Sequence, residues 1–163
     1  MGMIDTYKKR RNLFYAKRTV AAALLFLCIL FIWHNSLESA GISGIRSVRI
    51  TKAVNEWLAG EGQMLVSEHS IRKLAHFTEY ALEGILCVCF FWAYERLTRR
   101  HLCGGALLGI FTALIDETIQ LYSPGRDGAV MDVWIDFGGF LCGALVTLLL
   151  LFIKRKIRPC IFD

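Results

Sequence analysis

The chain has 163 residues, 55% of them hydrophobic and 20% charged, a mean hydropathy of +0.47, and 19 Lys and Arg against 14 Asp and Glu. One domain fits that length, and four apolar runs of near-spanning length exclude an ordinary soluble domain in favour of an all-α integral membrane protein. The basic excess is no nucleic-acid signature: the cations cluster beside apolar runs and form no basic, aromatic stripe suited to a groove, so no nucleic-acid partner is expected.

Residues 1–18 read as a basic cytoplasmic tail with Lys8, Lys9, Arg10, Arg11, Lys17 and Arg18. The first apolar run follows at about 19–34. A charged start before a short apolar stretch mimics a signal peptide, but no small-x-small cleavage site leads into a soluble domain. The run is read as a retained, slightly short helix. The connection over 35–72 is the one long link, punctuated by Ser36, Ser39, Ser43 and Ser47. Within 45–58, Ile45, Val48, Val54, Trp57 and Leu58 interleave with Arg46, Arg49, Lys52 and Glu56. That pattern suits an amphipathic helix on the membrane surface, with Trp57 at headgroup level. A solvated loop with one helical turn is the alternative.

Three further spans are expected at 74–94, 102–122 and 129–153, so the transmembrane domain covers 19–153 and a second basic cytoplasmic tail covers 154–163. The links 95–101 and 123–128 are short, and Pro124-Gly125 marks a turn, so these spans pack as antiparallel neighbours. Gly105-x-x-x-Gly109 and Gly139-x-x-x-Gly143 offer surfaces for close helix approach. Cys28, Cys87, Cys89 and Cys142 lie inside apolar runs, where a thiol behaves as a small hydrophobe. Cys103 and Cys160 fall on the expected cytoplasmic side, where thiols stay reduced. Cys87-x-Cys89 sets two side chains about 200° apart on a helix, so they cannot chelate one ion together. With both termini inside, 13 Lys and Arg fall on the cytoplasmic side and 6 outside. The positive-inside rule therefore gives an N-in, C-in topology.

The informative residues are six carboxylates within the last three spans: Glu79 and Glu83, Asp116 and Glu117, Asp132 and Asp136. A carboxylate in hydrocarbon costs on the order of 2.5–3.5 kcal/mol even on the lenient insertion scale, so these groups are paired, wetted or in use. At 1.5 Å per residue, Glu79, Asp116 and Asp136 each lie about 9–10 Å below the outer surface. Three spans thus deliver a carboxylate to one plane. On the second span Arg72, His76, Glu79, Tyr80 and Glu83 fall within about 100° of arc. Asp132 with Asp136, and Asp116 with Gln120, are i, i+4 pairs. Glu117 points about 100° from Asp116 and is expected to meet a helix boundary.

These acids face Arg72, Lys73, Arg126 and the titratable His76. The excess negative charge is relieved either by protons shared among the acids or by a bound cation, for which His with carboxylates is a ligand set for zinc or manganese. No compact metal motif supports the second option. Arg126 either grips a phosphate or carboxylate with its planar fork or neutralises Asp132 or Asp116. His76 is a proton shuttle or ligand, or a satisfied interfacial histidine. Tyr80, Tyr122 and Trp134 are expected at the outer rim as belt aromatics.

At these residues the chain resembles the VanZ-like membrane proteins, the family named for a teicoplanin-resistance protein. The matching blocks are Arg72-Lys-Leu-Ala-His-Phe-Thr-Glu-Tyr80, Asp116-Glu-Thr-Ile-Gln120, Pro124-Gly-Arg126 and residues 132–139, with Asn35-Ser36 after the first span. The resemblance covers about residues 30–146 in order and spacing. One mild departure is Asp136-Phe-Gly-Gly139, where many relatives have Asn or Asp, then a small or hydroxyl residue, then Gly. The resemblance implies a small multi-pass envelope protein linked to lowered susceptibility to glycopeptide antibiotics.

Three functional readings follow. In the first, an enzyme-like site at the outer leaflet acts on a lipid or lipid-linked cell-wall precursor. Glu79 or Asp116 is then general base or metal ligand, His76 the acid or shuttle, and Arg126 the anchor for an anionic group; paired acids in separated protonation states are what such chemistry needs. Glu83, Gln120, Asp132 and Asp136 complete the catalytic group, and Arg72, Tyr80, Glu117 and Arg126 the binding group. In the second reading the cleft binds a lipid headgroup or a glycopeptide without chemistry. The third is cation- or proton-coupled transport, which the absence of acids in the inner half of the last three spans opposes unless a dimer completes the path. A carboxylate–arginine lock joining helices is the purely structural alternative.

Overall fold

A computed structural model of the chain describes residues 2–59, 65–93, 97–126 and 128–157. The expected span end at residue 94, Arg96, Asp127 and the tail beyond residue 157, with Arg158 and Cys160, lie outside the described residues, as do the side chains of Lys8, Lys9 and Arg10. Among the described residues there are five helices and no strand: α1 (Gly2–Leu37), α2 (Ala40–Ala59), α3 (Glu68–Trp92), α4 (Arg99–Tyr122) and α5 (Val130–Ile157). Four contain stretches long and apolar enough to cross a membrane, at Arg11–Leu37, Glu68–Trp92, Arg99–Tyr122 and Val130–Lys156. The protein is therefore all-helical and multi-pass.

The helices outrun the apolar runs that announce them. Nothing between residues 3 and 37 breaks a helix, because neither Gly nor Pro occurs there, and Lys and Arg are good helix formers. The basic residues of 1–18 thus continue the helix of the first span, and Arg18 donates from Nε to the Ala93 carbonyl at the far end of α3 (3.2 Å). The second span begins six residues before the expected 74. Its start is fixed by Ser67, whose hydroxyl accepts from the Ser70 amide (3.1 Å), satisfying a donor that the first turn cannot. Thr98 and His101 cap α4 reciprocally, each accepting from the other's backbone amide. The turn after α4 places Gly125 at φ 74°, a left-handed conformation that a residue without Cβ adopts freely.

Contacts give the relative directions. Gly139 lies against Phe77 and Gly143 against Ala81, so α5 runs parallel to α3. Gly105 lies against Cys87 while Asp116 approaches His76, so α4 runs antiparallel to both. Arg18 near Ala93 and Asn35 near Glu79 make α1 antiparallel to α3. The α3–α5 seam is the most extensive in the bundle. A Cβ on Gly139 or Gly143 would overlap the backbone carbonyl of Phe77 or Ala81, so the glycine spacing lets the two backbones touch.

The connection over 35–72 contains a full helix, α2, and the solvated-loop alternative falls. Its buried stripe is polar, with Ser43, Ser47, Thr51 and Asn55 at successive i, i+4 positions, and α2 packs on α3. Ile42, Ile45, Val48 and Trp57 face outward. Arg46, Arg49, Lys52 and Glu56 are exposed among them, so α2 buries a polar stripe and shows a mixed face, whereas a soluble helix buries its apolar stripe. Asn55 fixes the return toward α3. Its Oδ1 accepts from the Leu65 and Val66 amides (2.9 and 2.8 Å), and its Nδ2 donates to the Val66 carbonyl (2.9 Å).

Candidate functional site

The site grows from one face of α3. Successive helical turns carry Arg72 with Lys73, then His76, then Glu79 with Tyr80, then Glu83, as a 3.6-residue period requires. Antiparallel α4 brings Asp116 level with His76, at 3.7 Å from Nδ1 to Oδ2. Parallel α5 brings Asp136 to 4.0 Å from the same nitrogen. One ligating atom from each of these three residues lies within 4.8 Å of the others. Asp116 and Asp136 are fully buried. Gln120, one turn along α4, donates to Asp116 Oδ2 (3.0 Å) and toward Ser36 Oγ (3.5 Å).

A cavity of about 350 Å³ opens beside this cluster, bounded by Arg72, Lys73, His76, Arg126, Asp132 and Asp136, with Glu117 and Gln120 on its wall. Side-chain exposure falls from 34% at Lys73 and 31% at Asp132, through 18% at His76, to 2% at Asp136. The cavity therefore has a wet rim and a dry floor. Lys73 and Asp132 form an ion pair at the rim (3.0 Å). Glu117 meets a helix boundary, accepting the Ala129 amide (2.8 Å) at the start of α5, where negative charge is favoured.

Among the described residues Arg126 makes no ion pair within 4.0 Å with Asp116 or Asp132, although its charge and that of Asp116 act on each other at longer range. It donates from Nη2 to the Asn35 carbonyl (3.3 Å), and its buried Nε has no protein partner. Burial, then the like charge of Arg72, lowers the Arg126 pKa from its ordinary value. Arg126 thus stands near Arg72 and Arg46 as well as Asp116 and Glu38, with one buried donor unused.

The structure separates some residues that the sequence grouped. Glu79 borders a second cavity of about 230 Å³ together with Asn35, Arg46, Arg72, His76 and Arg126, and its Oε1 accepts from Asn35 Nδ2 (2.9 Å). Arg72, His76 and Arg126 stand between the two cavities. Glu83 borders neither; it is fully buried, and its Oε1 accepts from the Thr112 hydroxyl (3.0 Å). Tyr80 is not a rim aromatic. It is wholly buried because it shares the face that carries His76 and Glu83 into the bundle, whereas Tyr122 and Trp134 are exposed.

Across residues 14–152 the sequence matches the VanZ/LLP1 family profile. The chain belongs to the VanZ/LLP1 family. No curated protein and no solved structure matches it.

In this VanZ/LLP1 protein the end of α1 is part of the site, which reasoning from acids alone does not reveal. Asn35 holds Glu79 with its side chain and Arg126 with its carbonyl. Fully buried Ser36 receives Gln120 through its hydroxyl, and its carbonyl accepts from Ser123 Oγ (2.7 Å). The available signal was a pair of polar residues closing an apolar run. Thr112, the partner of Glu83, gave none, because a threonine within a span commonly bonds its own helix; this one also donates to the Leu108 carbonyl (3.0 Å).

Proposed function

We propose that this protein works in the cell membrane as an enzyme-like site at the outer leaflet, acting on a lipid or lipid-linked cell-wall precursor. Arg72 and Arg126 hold an anionic group of that substrate, and His76 with Asp116 and Asp136 acts at the reacting group, either moving protons or holding a cation there. The observation that carries this reading is the layering of one cavity: cations and an ion pair at its rim, a histidine and two buried carboxylates at its floor. A planar guanidinium suits a phosphate or carboxylate. A histidine flanked by carboxylates suits general acid–base transfer. The basic residues flanking the spans support the N-in, C-in topology, which turns this cavity to the extracytoplasmic side. The exposed mixture of apolar residues, Trp57 among them, with Arg49 and Lys52 on α2 supports a helix lying in the membrane interface.

Membership of a family named for a teicoplanin-resistance protein makes glycopeptide susceptibility the phenotype to measure. The test expresses the chain in a susceptible Gram-positive host and compares it with Asp116→Asn and Arg126→Ala at matched membrane abundance. Purified protein is then incubated with membrane lipid extract and lipid-linked precursor and followed by mass spectrometry. The expectation is a product formed by the unaltered chain and lost in both variants. A susceptibility shift that survives both substitutions refutes the reading. A second reading, capture without chemistry, is favoured by the side cavity with Arg46, Arg72 and Arg126 on its lining. It is chosen if precursor binds, no product forms, and the variants weaken affinity gradually.

A further inference from the structure

We propose that His76, Asp116 and Asp136 form a binding site for a divalent first-row cation, manganese or zinc. The donors come from three different helices, α3, α4 and α5, and their ligating atoms lie within 4.8 Å of one another. Ligands at about 2.1 Å from a common ion stand roughly 3–3.5 Å apart, so the widest pair must close by up to about 1.3–1.8 Å to complete the arrangement.

The second observation is a convergence of unmet groups. His76 Nδ1, Asp116 Oδ1, Asp136 Oδ2 and the Tyr80 hydroxyl are all buried without a hydrogen-bond partner among the described residues. Buried polar atoms are normally paired, by protein, by a shared proton or by a bound species. A cation satisfies several at once. The charge count agrees: Asp132 has Lys73, whereas among the described residues Asp116 and Asp136 have no Lys or Arg within 4.0 Å and share only His76.

Donor chemistry narrows the ion. An imidazole nitrogen disfavours magnesium and calcium, which take oxygen sets, and the absence of thiolate disfavours copper(I). Gln120, donating to Asp116 Oδ2, is the kind of outer partner that orients a ligating carboxylate. Three protein donors leave further positions open beside the 350 Å³ cavity, the pattern of a working site as opposed to a closed structural one.

This inference deepens, and rests on, the reading of the cleft as a working site, but binding alone decides it. The full chain, purified in detergent and stripped with chelator, is titrated with manganese and then zinc, with retained metal measured by mass spectrometry after gel filtration. Stoichiometric binding is expected, weakened more than about tenfold in His76→Ala and in Asp136→Asn, since even outer-shell partners cost that much. Pulsed electron paramagnetic resonance on the manganese form of the unaltered chain needs no variant; it must show nitrogen coupling from one imidazole. No retained metal, retention undiminished in both variants, or a manganese spectrum without nitrogen coupling overturns the site. Product formed by a chain that retains no metal on titration overturns it while leaving the proposed function standing. Metal bound without turnover does the reverse.

Discussion

Gly139→Ala tests whether the α3–α5 seam sets the geometry of the site. A Cβ at this position would overlap the Phe77 carbonyl oxygen and stand 3.1 Å from the Phe77 carbonyl carbon and Cα. Backbone cannot swing aside as a side chain does, so α5 must retreat by about 0.5–1 Å, and such overpacking costs about 1–3 kcal/mol. Replacing a helical glycine returns up to about 1 kcal/mol, leaving a net loss near 1–2 kcal/mol. For a chain of this size that corresponds to a fall of roughly 2–8 °C in Tm. The neighbour supplies the control: a Cβ at Gly138 meets nothing within 4 Å, so Gly138→Ala is expected to be neutral or slightly stabilising. The same retreat carries Asp136, three residues back on α5, away from His76, one residue before Phe77 on α3. Gly139→Ala should therefore weaken manganese binding as well. Thermal unfolding in detergent by circular dichroism, with the metal titration on the same samples, checks both. Equal Tm values for the two variants would refute the reasoning.

Thr112→Val is expected to destabilise by about 1–3 kcal/mol, since it removes the one bond to buried Glu83 and leaves that carboxyl unpartnered; adding Glu83→Leu should recover most of the loss in a denaturant double-mutant cycle, whereas a loss that persists would show that Glu83 is held for another purpose. Asp132→Asn breaks an ion pair whose side chains are each about one-third exposed, so stability should change by no more than about 1 kcal/mol, and a larger drop in the unfolding midpoint would mean that the rim is structural. For the topology, membrane-impermeant thiol labelling of intact cells should reach a cysteine placed at Tyr122 but leave Cys103 unmodified until the cells are opened, since both residues are exposed at opposite ends of α4. Labelling of Cys103 from outside would invert the protein and the proposed leaflet.

The class, the four spans and the shared level of Asp116 and Asp136 were legible because each rests on periodicity and length alone, although the expected partner at that level was Glu79 and the structure sets both acids beside His76, about one turn earlier on α3. A residue's depth follows from its distance to the span end, and its face from its spacing. Helix starts were less legible. Apolar runs end where charge begins, but Arg72 and Lys73 lie inside α3 because Ser67 caps it further out, and Lys and Arg near a span end keep their charge wet while the backbone stays helical. Partners were least legible. The sequence placed Glu79 in the common plane, but only the approach of α1 determines that it turns to Asn35, and only the closeness of α5 to α3 drives Tyr80 fully inside. Those choices are made by packing between helices, which no single span encodes.

The arrangement of polarity in α2 bears on how a lipid substrate would reach the cleft. Its buried serines and threonine make few demands on α3 beyond close approach, and Arg46 on the same helix pairs with Glu38 while bordering the side cavity. The outward face mixes Ile42, Ile45, Val48 and Trp57 with exposed Arg46, Arg49, Lys52 and Glu56. A helix whose exposed surface mixes apolar and basic side chains suits the boundary between acyl chains and charged headgroups. On the proposed reading, acyl chains would remain in the bilayer while a charged headgroup passed beside α2 toward Arg72, Arg126 and His76. A soluble anion would need only the first cavity; the second, flanked by α1, α2 and α3, is explained by a substrate that arrives from the side. Shortening Arg46 to Ala should therefore slow turnover of lipid-linked precursor while leaving a water-soluble headgroup analogue unaffected, as measured by competing the two in one assay. Equal slowing of both would place Arg46 outside the entry path.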